Sequence, residues 1–374
     1  MLAIAALLAC VCQGASAAVR QYFIAADEVD WNYMPSGTDA MMPGMPMAGY
    51  ARFFATRGPH LIGSVYRKAV YREYTDATFK NLKPRRPDEA YLGILGPVIH
   101  AEVGDTIRIV FRNNGTHPYS MHPHGVFYDK ASEGSPYDDG VAMSAKPGDS
   151  VAPGRTFTYV WEVPARAGPG PNDPSSIAWF YHSHVNERRE SESGLAGAIV
   201  VTRRGMARPD GTPQDVDREF VAFFMIYNEN YSWFIDSNAA RFPTDPRHVV
   251  RGESIPKDPE GNFDSLIGMG FAGQNFRAAI NGYQYGEGPM MRMKKGDHVR
   301  WYLLTLGNAF NYHTPHWHGN TVTVAGQRTD VVSILPAQMV TADMRPDDPG
   351  IWLFHCHISD HMEAGMVARY QVLP

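Results

Sequence analysis

Cysteine is nearly missing from this sequence. The 374 residues include 3, and two of them, Cys10 and Cys12, fall in the apolar opening MLAIAALLACVCQGASA. That run ends in Ala15-Ser16-Ala17, the small-residue pattern of a secretory signal cleaved near Ala17. Residues 1–17 are therefore expected to leave, and the protein to be secreted, or periplasmic in a bacterium. Cleavage leaves Cys356 alone, so no internal disulfide is expected and packing must hold the fold. The run is also too short to span a bilayer, which takes about 20 apolar residues. Basic runs are lacking too. Lys and Arg number 34 against 39 Asp and Glu, a net charge of −5. That argues against nucleic acid, and no basic run suggests a membrane surface. Long helical periodicities are scarce, whereas Gly (35) and Pro (28) are plentiful, which favours short strands and turns.

The remaining cysteine stands in WLFHCHISDHMEAGM, as His355-Cys356-His357 followed by His361 and Met366. A soft thiolate, His361, an upstream histidine and a weak axial thioether make up a blue-copper electron-transfer set. On an extended strand His355 and His357 point away from the cysteine, so they can reach further metals. Three more clusters supply imidazoles: His122-Pro123-His124, His182-Ser183-His184 and His313-Thr314-Pro315-His316-Trp317-His318. Alternating residues on a strand face one way, so each HxH pair can grip a shared ion. One HxH alone is usually a satisfied pair of histidines. Four clusters around a Cys–His core have no structural reason to exist.

The chain also repeats itself. GDTIRIVFRN (104–113) and GDHVRWYLL (296–304) both alternate apolar and polar residues after a turn, and predict half-buried strands. Each precedes one HxH, and each half closes with a second, at 182/184 and 355/357. The pattern predicts an all-β chain of two tandem cupredoxin domains, Greek-key β-sandwiches, over 18–205 and 206–374. Aligned on the second half, the first has Tyr119 for His313, Ser183 for Cys356, Arg188 for His361 and Leu195 for Met366. The first domain is thus expected to hold no blue copper.

These motifs, with YRKAVYREYTDATF (66–79), LGILGPVIHAEVGDTIRIVFRN (92–113), NENYSWFIDSN (228–238) and INGYQYG (280–286), resemble the multicopper oxidases, in particular the ceruloplasmin–hephaestin branch. The resemblance implies a type 1 copper on His313, Cys356, His361 and Met366. It implies a type 2 copper on His122 and His316. A type 3 pair then falls to His124, His182, His184, His318, His355 and His357, for about four coppers per chain. A small donor, Fe(II), Cu(I) or a phenol, would reduce dioxygen to water. Glu133 matches an acid kept near the type 2 copper, where it would relay protons. Asp360 matches an iron ligand beside the type 1 site. In six-domain relatives the first and last domains close a ring around the cluster; a two-domain chain would restore that ring as a homotrimer, with clusters between subunits.

The sequence departs from the family at several points. Gly273 and Ala278 stand where relatives place the other iron ligands, a Glu and a His. Asp264 is an acid nearby. Ser176 stands where relatives have a cysteine, and sequons occur at Asn114 and Asn230. Met34, Met41, Met42, Met45 and Met47 crowd one segment. This is either a flexible Gly/Pro loop or a soft site for Cu(I). Three rivals to a metal-ion oxidase remain: a laccase-like oxidase of phenols or aromatic amines, a copper nitrite reductase, and a non-enzymatic copper-binding protein. The second HxH pair and the type 1 set in the second half speak against the nitrite reductase.

Overall fold

The computed structural model describes residues 17–241, 265–308 and 310–374. The expected signal peptide up to Ser16, and Asp264, lie outside the described residues. Among the latter, eight strands come first: β1 (Val19–Asn32), β2 (Val65–Glu73), β3 (Ile99–Glu102), β4 (Thr106–Asn113), β5 (His122–Pro123), β6 (Thr156–Glu162), β7 (Ser176–His182) and β8 (Ala196–Thr202). Ten follow: β9 (Arg218–Asn228), β10 (Phe276–Ile280), β11 (Met291–Lys294), β12 (Val299–Thr305), β13 (Pro315–Trp317), β14 (Val322–Val324), β15 (Gln327–Thr329), β16 (Met339–Met344), β17 (Gly350–Cys356) and β18 (Val367–Leu373).

Both sets follow one plan. The first forms sheets β2-β1-β4-β6 and β3-β8-β7-β5; the second forms β10-β9-β12-β16, extended by β14-β15, and β11-β18-β17-β13. Parallel pairs recur at matching places, β1 with β4 and β3 with β8, then β9 with β12 and β11 with β18. The chain is therefore two tandem cupredoxin domains.

Sequence alternation succeeds in β4 and fails in its counterpart β12. In β4, Ile107, Ile109 and Phe111 are buried while Arg108 faces water. Every residue of β12 is buried. The expected wet face is covered by the first domain, and its polar groups are paired there. The Tyr302 hydroxyl lies 2.7 Å from Ser176 Oγ, and Arg300 Nη1 donates to the same oxygen at 2.8 Å. Arg300 also holds Asp343 through two bonds of 2.7 and 2.9 Å. Buried polar groups persist only with such partners. Ser176 thus makes a polar joint between domains.

One apolar core crosses the joint. Phe180 of β7 meets Phe223 of β9 edge-on, centroids 6.1 Å apart. Deeper in the second domain Trp301 packs on Phe220 and Phe354, each at 4.9 Å. The sequon residue Asn230 belongs to this interior. It is 1% exposed and donates to Asn228 Oδ1 and the Ala272 carbonyl, so it is unavailable to a glycan in the folded state. Asn114 is exposed. No described helix is long and apolar enough to cross a membrane.

Candidate metal centre

The cysteine motif forms the end of β17 and the loop after it. The Cys356 N–H bonds the Met366 carbonyl at 3.1 Å, and the Met366 N–H bonds the His361 carbonyl at 2.9 Å. Gly365, at φ 104°, makes the turn; a Cβ there would sit 2.7 Å from the Tyr285 ring. The fold brings His313 alongside. Its Nδ1 is 3.2 Å from His361 Nδ1, and Cys356 Sγ lies 3.9 and 3.6 Å from those two nitrogens. Met366 is fully buried in the same loop.

Eight other histidines make two quartets. In the first domain His122 faces His182 across β5 and β7. His124 Nε2 is 3.1 Å from His182 Nε2, and the ring of His184 is 5.1 Å from that of His122. In the second, His316 faces His355 across β13 and β17. His355 Nε2 lies 3.2 Å from His316 Nδ1 and 3.0 Å from His318 Nε2, and the ring of His357 is 5.0 Å from that of His316. Among the described residues no ring contact joins one quartet to the other.

The chemistry of these groups fits copper. Burial holds His124, His355 and His361 down at about 4, and His182 and His313 well below the usual imidazole range. Imidazoles that stay neutral offer lone pairs to a metal. Burial pushes the Cys356 thiol up, while the N–H groups of Thr314 (3.4 Å from Sγ) and Ile358 oppose it. Such a thiol gives up its proton most readily to a metal ion.

Supporting contacts fix the rings, and sequence reading missed them. Asn311 Oδ1 takes His313 Nε2 at 3.2 Å and is itself anchored by the Ile226 N–H at 2.6 Å. Its only signal was its place two residues before His313. The Glu133 carbonyl takes His122 Nδ1 at 2.7 Å, and Ser135 Oγ lies 3.0 Å from His184 Nδ1. Both leave Nε2 for a metal. The Glu133 carboxylate itself turns to Lys130 at 2.7 Å and the Tyr137 hydroxyl at 2.9 Å. Burial pushes that carboxyl up, but these two partners outweigh it and hold it below its usual value.

The first-domain counterpart of the cysteine site differs from the sequence alignment at one position. Ser183 N–H bonds the Leu195 carbonyl at 3.2 Å, as Cys356 bonds Met366, and Leu195 N–H bonds Glu190 at 3.1 Å. Glu190, not Arg188, therefore replaces His361, because this loop is two residues longer. Arg188 instead stacks over Tyr231, 3.3 Å from the ring centre. Tyr119 is fully buried.

Two features flank the cysteine loop. Asp360 is half-buried on the helix Ser359–Glu363, and its carboxylate has no hydrogen bond or ion pair among the described residues. The positions of the missing iron ligands are closed: a Cβ on Gly273 would lie 1.8 Å from the Leu266 carbonyl, and Ala278 is fully buried in β10. The methionine segment docks nearby. Ala40 N–H bonds the Tyr285 carbonyl at 3.1 Å; Tyr285 N–H bonds Gly365, and Gly286 N–H bonds Val367. Met41 Sδ packs on Gly286, whereas Met42 and Met45 are exposed and Met34 is core.

Comparison with known proteins agrees with this geometry. Two family models described as multicopper oxidase match residues 92–205 and 258–374. The chain is 40% identical over 355 residues to human Ferroxidase HEPHL1, covering 94% of this chain and 29% of that protein. It is 38% identical over 359 residues to human hephaestin and 40% over 361 to human ceruloplasmin, covering 95% of this chain in each case. It spans 29% and 32% of those two proteins' lengths. Among solved structures, one titled "Crystal structure of multicopper oxidase" matches with TM-score 0.56 at 20% identity, covering 95% of this chain and 89% of that one. A copper nitrite reductase from Nitrosomonas europaea matches with TM-score 0.55 at 17% identity, covering 95% and 94%.

Proposed function

The chain belongs to the multicopper oxidase family, and on that premise we propose that it oxidises a small donor, a metal ion, and reduces dioxygen to water. One observation carries the reading: Cys356, held with His313 and His361, is bonded in sequence to His355 and His357 of a histidine quartet. Copper held by these residues would supply one-electron redox chemistry between the donor and dioxygen. His313, Cys356, His361 and Met366 would hold the type 1 ion. Asn311 fixes the His313 ring, and the Thr314 N–H stabilises the thiolate. Cys356 puts the donor side only a few covalent bonds from the oxygen side. His122 and His316 would hold the type 2 ion, and His124, His182, His184, His318, His355 and His357 the type 3 pair. Glu133, an ionised carboxylate near His122, would accept protons and pass them on toward oxygen.

The proposed assembly is a homotrimer with each cluster completed across a seam. Its support is that no ring contact joins the quartets among the described residues and that the second quartet is open to solvent. His357 is exposed, and His316 and His318 line an open cavity of about 530 Å³ with Arg328, Asp330 and Trp352. Exposed Phe127 and Ile351, 52% and 59% accessible, lie on the strands and loops that carry the two quartets. Ring closure would cover both surfaces.

The donor has two readings. Fe(II) follows from relatives named as ferroxidases and from Asp360, the one matched iron ligand. Cu(I) is favoured by the methionine segment, which is bonded to the strap over the Met366 loop and exposes soft thioethers. Copper quantitation, visible and spin-resonance spectra, and oxygen uptake with Fe(II), Cu(I) and a phenol test the proposal. The expected result is about four coppers per chain and an intense blue band, with a metal ion as the faster donor. A colourless copper protein would sink the oxidase reading. Faster turnover of the phenol would replace the metal-ion reading with a laccase-like one.

A further inference from the structure

The segment from Lys130 to Asp149 carries a ring of charges, buried at Lys146 and Asp149 and exposed at Lys130, that reaches both ends of the first-domain quartet. Lys146 is 1% exposed and Asp149 fully buried. The Lys146 ammonium lies 2.9 Å from Asp139 Oδ1, 3.6 Å from Asp149 Oδ2 and 3.1 Å from the Tyr137 carbonyl. Asp149 Oδ1 accepts the Ser135 N–H at 3.2 Å, and Ser135 Oγ is the partner of His184. In the other direction Asp139 Oδ2 pairs with Lys130 at 2.9 Å, and Lys130 pairs with Glu133 at 2.7 Å. Glu133 carries the carbonyl that holds His122. The Tyr137 ring lies between the two ammonium groups, 4.6 Å from Lys130 and 5.3 Å from Lys146.

We infer that Lys146 is a positioning residue for the first-domain half of the copper cluster. Three carboxylates converge in this loop, and two cations hold them together. A buried charge that loses its partner is strongly unfavourable, so the ammonium fixes Asp139 and Asp149, and through them the backbone of 133–135. That backbone sets the Nδ1 partners of His122 and His184 at once. Their free Nε2 atoms are then aimed before any metal arrives. The second domain has a weaker arrangement. There His316 Nε2 reaches only Asp330 at 3.6 Å, and Asp330 is 58% exposed. Its quartet depends more on the metal, or on a neighbouring subunit, for its order.

The inference rests on the oxidase reading, and the test separates the two. Full-length wild type, Lys146→Arg, Lys146→Met and Ser135→Ala are loaded with copper. Copper per chain, the blue band, the type 2 spin-resonance splitting and cluster affinity are measured. The blue site lies in the second domain, so it reports the fold and not the loop. Lys146→Met is expected to keep the blue band and to weaken cluster copper, by at most the about 10–100-fold that losing a direct outer partner of a metal ligand costs. Lys146→Arg, which keeps the cation, should restore affinity and splitting to near wild type. Ser135→Ala should weaken the cluster without disturbing the ion pairs. Wild-type cluster affinity and an unchanged type 2 splitting in Lys146→Met would overturn the inference. If Lys146→Met also loses the blue band, Ser135→Ala decides, and an unaltered cluster there overturns it. A wild type without blue or cluster copper would instead sink the oxidase reading.

Discussion

In the second domain Cys356 bonds Met366 through the backbone, and Met366 bonds His361; in the first, Ser183 bonds Leu195, and Leu195 bonds Glu190. Even the turn is kept, by Gly194 at φ 114° and Gly365 at φ 104°. The backbone pocket is thus the same while its chemistry is inverted. Where the second domain gathers a thiol and two neutral imidazoles, the first buries a serine, a tyrosine and a carboxylate. The Glu190 carboxylate accepts the Val185 and Asn186 N–H groups at 2.9 and 2.7 Å, so it staples its own loop. The same backbone pocket thus accepts groups that offer no copper set: Ser183 and Glu190 find partners within it, and the buried Tyr119 hydroxyl has none among the described residues.

The sharpest way to break that comparison is to exchange the sulfur. Cys356→Ser should abolish the blue band and lower donor turnover by on the order of 10³-fold or more, as loss of an essential group does. The histidine quartets should still load. Ser183→Cys should create no blue band, because Tyr119 and Glu190 offer no imidazole. A blue Cys356→Ser protein would sink the type 1 assignment.

A smaller effect sharpens the contrast between the quartets. His182→Ala and His357→Ala chains are each expected to be inactive. If clusters form between subunits, co-expressed chains should regain up to about one quarter of wild-type activity, the share of seams that random ring assembly leaves intact. Complementation that stays at zero, with a copper-loaded species near the mass of a single chain, would place the cluster inside one chain.

At the donor face the expected changes are about tenfold, roughly the 1.4 kcal/mol of one charge-assisted contact. Asp360→Ala should slow Fe(II) oxidation and spare a phenol. Deleting residues 41–47 should slow Cu(I) oxidation alone if the methionines collect that ion. Equal effects on every donor would reject both sites.

The smallest effect concerns pH in the copper-free protein, where the matched positions carry opposite signs. Burial lowers His361 from 6.5 to about 4, so its stabilising contribution is present above 6.5 and lost as pH falls toward 4. Burial raises Glu190 from 4.5 to about 7, with Ser183 opposing, so its contribution is present below 4.5 and lost as pH rises through 7. Melting curves should show that His361→Gln flattens the acid limb and Glu190→Gln the alkaline limb. Identical changes in both limbs would mean these groups do not set the linkage.

The sequence by itself determined the fold class, the internal repeat and the histidines and cysteine that the fold gathers into candidate metal sites. Strand alternation and HxH spacing are local: they depend on which side of a strand each residue faces. Cys356, with its flanking histidines, is legible for the same reason. Tertiary structure decided what depends on neighbours distant in sequence. It covered both faces of β12 because the other domain lies against it. It made Asn230, one of the two sequon residues, part of the core. It chose Glu190 over Arg188, because loop length is corrected by backbone bonding and not by counting. It anchored Asn311 through the Ile226 N–H so that it backs His313, and it placed Ser135 and the Lys146 ring behind His184, contacts between segments far apart in sequence. It also left the two quartets with no ring contact between them among the described residues, which sequence spacing cannot foretell.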